Sequence, residues 1–233
     1  MRALLRARRS ELLGLMLSAI IPTLDSAATL PACLACLAAA DEIVVADGGS
    51  ADDTVALAQA SGARGVVAPR GRGAQLGAGA RAAAGQWLLF LHSDTRLGPN
   101  WSARAAAHIA SGPGTAAAFR FALDDPAWQA RLVERGVALR ARLLALPYGD
   151  QGLLVPRSLY EEVGGYRPLA LMEDVDLVRR IGRSRLRILD EPALTSAERW
   201  RRDGWLRRSA RNLLCLGLYG AGASPERIAR VYG

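Results

Sequence analysis

Three acids in this 233-residue chain each close a short apolar run: Asp25 beyond Ser18–Pro22, Asp47 beyond Glu42–Ala46, and Asp94 at the end of WLLFLHSD. A carboxylate at the end of a buried strand loses much of its hydration unless a cation or hydrogen-bond donors replace the water. In open α/β sheets the carboxyl ends of the strands are also where ligands bind. One such Asp reads as a turn cap; three from separate strands predict a shared rim. His92 and Ser93 precede Asp94 directly, so this strand end carries several metal-capable side chains. Farther on, MEDVDLVRRIGR places Glu173, Asp174 and Asp176 in the first turn of a predicted helix. The helix dipole accounts for Asp176. Glu173 and Asp174 follow a Gly-rich connection that could deliver them to the same rim.

The elements that position these residues read as alternating strands and helices. Ser18–Pro22, Glu42–Ala46, Gly65–Ala68 and the apolar run from Trp87 are predicted strands. Helices are predicted to about Ala40, from a capping-box-like Ser50 and Asp53 to Ala60, and over Ala74–Ala84. Four β-α repeats with right-handed crossovers imply a parallel sheet. In the second half a helix is predicted over residues 100–111, a strand over Ala116–Leu123, a helix from about Pro126 to Leu144, and the apolar run GLLVP. A last strand is placed at Leu186–Leu189. Gly77, Gly79 and Ala82 form a partial G-x-G-x-x-A fingerprint. They fall inside a predicted helix, whereas a dinucleotide site needs them in the turn directly after a strand. Arg70 and Arg72 read as loop residues ahead of that helix.

Composition narrows the function classes. The net charge of +8 lies at the ends: residues 1–11 carry four Arg against Glu11, and residues 199–211 carry six Arg against Asp203. The body between is nearly neutral, with 18 Arg and 19 acids over residues 12–198, which argues against a nucleic-acid surface. All 30 basic residues are Arg. Cys33 and Cys36 form a C-x-x-C in an Ala-rich helical stretch, read as packing thiols ahead of redox chemistry. With two His in the chain, no familiar zinc set can be assembled, and no disulfide is implied, as in a reducing, cytoplasmic compartment. Leu12–Ile21 and Leu213–Ala223 are too short to span a bilayer. Residues 1–15 imitate a signal peptide but read as an extension, because the apolar run continues into the first strand.

Taken together, IIPTLD, VVADGGSADDT, LLFLHSDT and VGGYRPLALMEDVDLVRRIGR, in this order, resemble a family 2 glycosyltransferase of the GT-A fold, over about Leu17–Asp190. PYGDQGLLVPRSLYEEVGGY is similar to the acceptor-side region of that family. The tail from Arg199 through Tyr219 resembles a bacterial subgroup associated with arsenosugar biosynthesis. The resemblance implies an α/β fold with a mostly parallel central sheet. It divides the chain into an extension (1–15), a catalytic domain (16–195, with its nucleotide-binding half to about residue 98) and a helical tail (196–233). The tail either packs on the domain or meets an anionic membrane surface at the inner face of the membrane, through residues 199–219.

The implied activity is inverting transfer of a sugar from a nucleoside diphosphate donor, a UDP-sugar, to the hydroxyl of a small or lipid-linked acceptor. Asp174, beside Glu173, would take the acceptor proton. Pro22, Thr23, Asp25, Asp47, Gly48, Gly49, Arg72, Gln75, Ser93 and Asp94 would hold the donor, Asp47 by accepting an N–H of the base. Asp150, Gln151 and Tyr166 would face the acceptor. Asp94 would bind Mn²⁺ or Mg²⁺. The family usually has Asp-x-Asp where this chain has His92-Ser93-Asp94, so His92 either ligates the metal or contacts the ribose. The competing classes are an NAD(P)-linked oxidoreductase built on Gly77, Gly79 and Ala82, and a non-catalytic membrane-surface protein using the basic tail.

Overall fold

The computed structural model describes residues 15–144 and 146–232. The N-terminal extension thus lies outside the described residues except for Leu15, which packs against the core. The first half contains β1 (Leu17–Thr23), α1 (Leu30–Cys36), β2 (Glu42–Asp47), α2 (Thr54–Ala60), β3 (Arg64–Val67), α3 (Arg72–Ala82), β4 (Trp87–Phe90) and β5 (Thr95–Leu97). The second half contains α4 (Trp101–Ala110), β6 (Ala116–Leu123), α5 (Trp128–Leu144), β7 (Leu153–Pro156), α6 (Arg157–Glu162), α7 (Glu173–Ile181) and β8 (Leu186–Thr195). The tail adds α8 (Glu198–Asp203), α9 (Trp205–Gly220) and α10 (Pro225–Tyr232).

The eight strands form one sheet in the order β3-β2-β1-β4-β7-β6-β8-β5. The first four are mutually parallel, β7 is antiparallel to both β4 and β6, and β6 and β8 are again parallel. Strand alternation divides the core into two layers. Ile21, Val45 and Leu89 face α1, α2 and α4 through Leu30, Ala58 and Ala105. Their neighbours Ile20, Val44 and Leu88 face α3, α6 and α7 through Leu76, Leu159 and Leu177. Both faces are covered, which explains why these strands read as unbroken apolar runs.

Four expectations change. Ser50 does not cap α2: its hydroxyl donates to Asp47, and Asp53 occupies the N-cap without a side-chain bond. Helix α3 starts at Arg72, so this Arg is a helical residue and not part of the loop. Helix α1 stops at Cys36 instead of running to about Ala40. Strand β8 continues past Leu189 to Thr195, because a register shift opposite Phe119 and Arg120 absorbs Asp190 and Glu191 and lets pairing with β6 resume.

The tail packs on the domain. Trp200 joins Phe121 and Leu123, while Cys215 and Ile228 join Met172 and Val175. Among the described residues no helix is long and apolar enough to cross a membrane.

Candidate active site

Asp94, His92, Asp150 and Asp174 line one cavity at the carboxyl end of β4, together with Arg72 and residues of the tail. The turn that carries His92 and Asp94 is held from below and from the side. Cys33 Sγ donates to the His92 carbonyl (3.4 Å), and Ser196 N donates to the Asp94 carbonyl (3.2 Å). This is the work of the C-x-x-C: Cys33 is a buried free thiol, and burial pushes its pKa well above the usual value. The packing reading of the pair therefore holds.

Asp174 enters from the opposite wall, on the first turn of α7. Its Oδ2 accepts from Gly149 N at 2.7 Å and its Oδ1 from Val175 N at 2.7 Å. The entry to α7 is tight: Met172 has φ 65°, a left-handed conformation that costs a bulky residue on the order of 1–3 kcal/mol. Gly149 lies between the two walls. A Cβ there would sit 2.6 Å from His92 Nε2 and 3.4 Å from Asp174 Oδ2, so only glycine lets the imidazole and the carboxylate close around this turn. Burial, and next the nearby Arg72 charge, lower the His92 pKa to about 4. Its imidazole is therefore neutral near pH 7 and keeps a lone pair for a ligand.

Glu173 does not reach the cavity. It is 1% exposed and holds Arg72 Nε at 2.7 Å, so its part is to fix the guanidinium that lines the cavity. Asp150 Oδ1 and the Tyr148 hydroxyl are buried without a partner. Burial is the main cause that raises Asp150 to about 6, with the charges of Asp174 and Asp94 adding to it and Arg140 opposing. Gln151 and Tyr166 lie behind the wall. Gln151 Nε2 donates to Phe119 O (2.9 Å), and Tyr166 packs edge-on against Phe90 with ring centroids 4.9 Å apart.

The residues expected on the nucleotide side gather at a second place, the β1 and β2 ends. Asp47 Oδ1 accepts from the Thr23 and Ser50 hydroxyls, and Oδ2 accepts from Gly49 N and Ser50 N. Burial works against this carboxylate, but the bonds from Ser50, Gly49 and Thr23 outweigh it and lower its pKa. All four lone-pair positions are occupied. An N–H from a base would therefore have to share or displace one of these four donors at Asp47. Asp25 is exposed, with φ 47°; it takes Ala51 N on Oδ1, while its own N–H donates to Ser50 Oγ. Gln75, buried under Gly48, donates to Thr23 O (2.6 Å) and Ala46 O (3.1 Å), clamping the two strands beside Pro22. Ser93 Oγ bonds Ser26 Oγ. Asp25 and Asp47 are thus joined through Ser50, while Asp94 lines the cavity with Asp174. Helix α3 links the two places through Gln75 and Arg72.

Residues unanticipated from sequence come from the tail and from the loop before β7. Arg199, Trp200, Arg208, Asn212 and Tyr232 line the cavity, as does Tyr148. Arg199, Trp200 and Arg208 were signalled by the clustering of Arg and Trp at residues 199–211, and Tyr148 by its place in the PYGDQ segment, whereas nothing local marked Asn212 or Tyr232. Gly77 and Gly79 lie in mid-helix on α3, where a Cβ on Gly79 would collide with Ile20 Cγ2. Close packing of α3 on β1 explains this glycine, and the dinucleotide reading is not supported.

A mostly parallel sheet with acid-bearing turns at its carboxyl edge and a carboxylate on a facing helix defines a GT-A type fold. The model for "Glycosyl transferase family 2" matches residues 18–168, and the chain belongs to that family. A stretch of 99 residues is 40% identical to the PGL/p-HBAD biosynthesis glycosyltransferase of Mycobacterium tuberculosis, covering 35% of this chain and 36% of that protein. The match thus spans about a third of the length of that relative. Among solved structures, mannosyl-3-phosphoglycerate synthase from Rubrobacter xylanophilus aligns with TM-score 0.63 at 19% identity, over 93% of this chain and 78% of that one. Glucosyl-3-phosphoglycerate synthase from M. tuberculosis, in complex with Mn²⁺, UDP and phosphoglyceric acid, aligns with TM-score 0.55 at 23% identity, over 76% and 69%. At such identities the likeness shows the fold.

Proposed function

We propose that the protein is a divalent-metal-dependent transferase that moves a sugar from a UDP-sugar to an acceptor hydroxyl with inversion. The observation that carries this reading is the opposition, across one cavity, of His92 and Asp94 on the β4 turn to Asp174 on α7, with Gly149 between them. Among the described residues no three His, Cys, Asp or Glu side chains form a complete metal cage. A two-ligand site of one carboxylate and one neutral imidazole still suits Mn²⁺ or Mg²⁺, which keep waters and take donor phosphates as further ligands. His92 and Asp94 would hold the ion, and an imidazole ligand tilts the preference towards Mn²⁺. When bound, the ion offsets charge on a departing diphosphate. The solved relative that carries Mn²⁺ and UDP supports this choice of cofactor and nucleotide.

The protein's own groups do the rest. Arg72, held by Glu173, presents its guanidinium to the diphosphate. The rim of Pro22, Thr23, Asp25, Gly48 and Gly49, braced by Asp47 and Gln75, receives the nucleoside. Asp174 Oδ2, aimed by Gly149 N, takes the proton of the acceptor hydroxyl. A base on the wall facing the diphosphate site directs attack from the opposite side of the anomeric carbon, which inverts it. Asp150 faces the acceptor. Three free thiols are compatible with a cytoplasmic reaction, and residues 199–219 are the segment that would meet a membrane surface.

The test is a UDP-sugar hydrolysis screen with Mn²⁺ and Mg²⁺, read beside UDP calorimetry. Asp174→Asn should keep UDP affinity and lose turnover by about 10²–10⁴-fold; full turnover would sink the assignment. Asp94→Ala should lower UDP affinity as much as a chelator does, and affinity indifferent to metal would refute the metal site.

A further inference from the structure

The cavity does not end at its polar walls. Tyr148, Asp150, Trp200 and Asn212 line it and also line a second, larger space, a groove of about 700 Å³ between α5 and α9. This groove is apolar: Trp128, Leu132 and Val137 on α5 face Trp205, Leu206 and Leu213 on α9. Several of these large side chains stand in solvent, with Trp128 67%, Leu132 53%, Leu206 87% and Leu213 64% exposed. Single exposed apolar residues are ordinary, but a contiguous set on two facing helices marks a binding surface.

The junction between the two spaces has its own chemistry. The Tyr148 hydroxyl, Asp150 Oδ1 and Trp200 Nε1 are buried without partners where the polar cavity meets the apolar groove, and Trp200 is only 6% exposed. Buried polar atoms left unpaired are costly, and here they surround the place where a ligand would change from polar to apolar.

We propose that the acceptor is an amphiphile, with a hydroxyl-bearing head that reaches Asp174 through the Tyr148–Asp150–Trp200 junction and an aliphatic body that lies in the α5–α9 groove. The assignment rests on the transferase reading of the cavity and adds the acceptor class to it. Continuity with the catalytic cavity favours this occupant over a membrane plane, since a flat surface would touch the rim of the groove and leave its floor empty.

The experiment titrates the full chain, with Mn²⁺ and UDP present, with 4-alkylphenols from ethyl to hexyl below their aggregation limits, read by tryptophan fluorescence. The dissociation constant should fall about threefold to fourfold for each added methylene, from roughly 0.8 kcal/mol per buried CH₂. A Leu132→Glu/Leu213→Glu double variant should flatten that series while UDP affinity stays unchanged; both positions are exposed, so folding does not depend on them. A flat series in the wild type, or an unchanged slope in the double variant, overturns the proposal. A flat series together with flotation on phosphatidylglycerol vesicles that the double variant loses would assign the surface to a membrane instead, and also overturns it. UDP binding in the same samples separates the two readings. Normal metal-dependent UDP affinity with a flat series removes only the amphiphile, whereas absent UDP binding removes the transferase reading and the acceptor role with it.

Discussion

Asp150 is the acid in the cavity whose ionisation the fold opposes. Burial first, then the charges of Asp174 and Asp94, hold it at about 6 against the partial opposition of Arg140. An unfolded Asp titrates near 3.9. With the folded value raised, the stability gained from the protonated form is complete below about pH 4 and is lost as pH rises through about 6. In the presence of chelator, the stability of Asp150→Asn relative to wild type should therefore improve on the order of 2–3 kcal/mol between pH 4 and pH 8. Urea melts at the two pH values check this, and a constant difference would refute it. Residue identity alone placed Asp94, His92 and Asp174 as candidates, because a polar group at a buried strand end or helix start is unusual in any context. It misassigned Glu173, because exposure or pairing with Arg72 depends on what α3 brings opposite, and two adjacent acids look alike in sequence.

Helix α3 shows what an element contributes. It carries Gln75 to the rim at the β1 and β2 ends and Arg72 to the cavity, and it can do so because Gly79 lets it approach β1. Gly79→Ala would gain up to about 1 kcal/mol of helix propensity. It would lose about 1–3 kcal/mol to overpacking, since Ile20 is fully buried and cannot yield. We expect net destabilisation on the order of 1–2 kcal/mol in a thermal melt; a stabilised variant would show that the helix does not sit so close. The strands were legible because alternation on a doubly covered sheet leaves continuous apolar runs. The end of β8 was not: Asp190, Glu191 and Pro192 carry turn chemistry, and the strand continues only because pairing with β6 resumes at Pro192 beyond the register shift and β5 pairs with Ala193–Thr195. The short β5 exists for the same reason.

At the scale of the whole molecule, the tail forms part of the cavity wall. Ile228 on α10 is fully buried with Cys215 of α9 and with Met172 and Val175, the residues that flank Glu173 and Asp174. Ile228→Ala should cost about 2–5 kcal/mol and should also lower donor turnover at temperatures where the variant is folded, because the entry to α7 loses its packing. Undiminished turnover in the folded variant would separate tail from catalysis. Arg208 adds to the coupling: it is buried, bonds Asp203 and the Tyr232 hydroxyl, lies over Trp200 and lines the cavity. The alternating strands, the acids at their ends, the near-neutral body and the family pattern all follow from residues close together in the chain, whose periodicity and turn chemistry act locally. The four bonds on Asp47, the clamp of Glu173 on Arg72, the glycine gap between His92 and Asp174, and the lining of the cavity by the tail were settled by tertiary packing. Each depends on which groups meet across long chain separations, and burial and hydrogen-bond partners exist only once those groups have met.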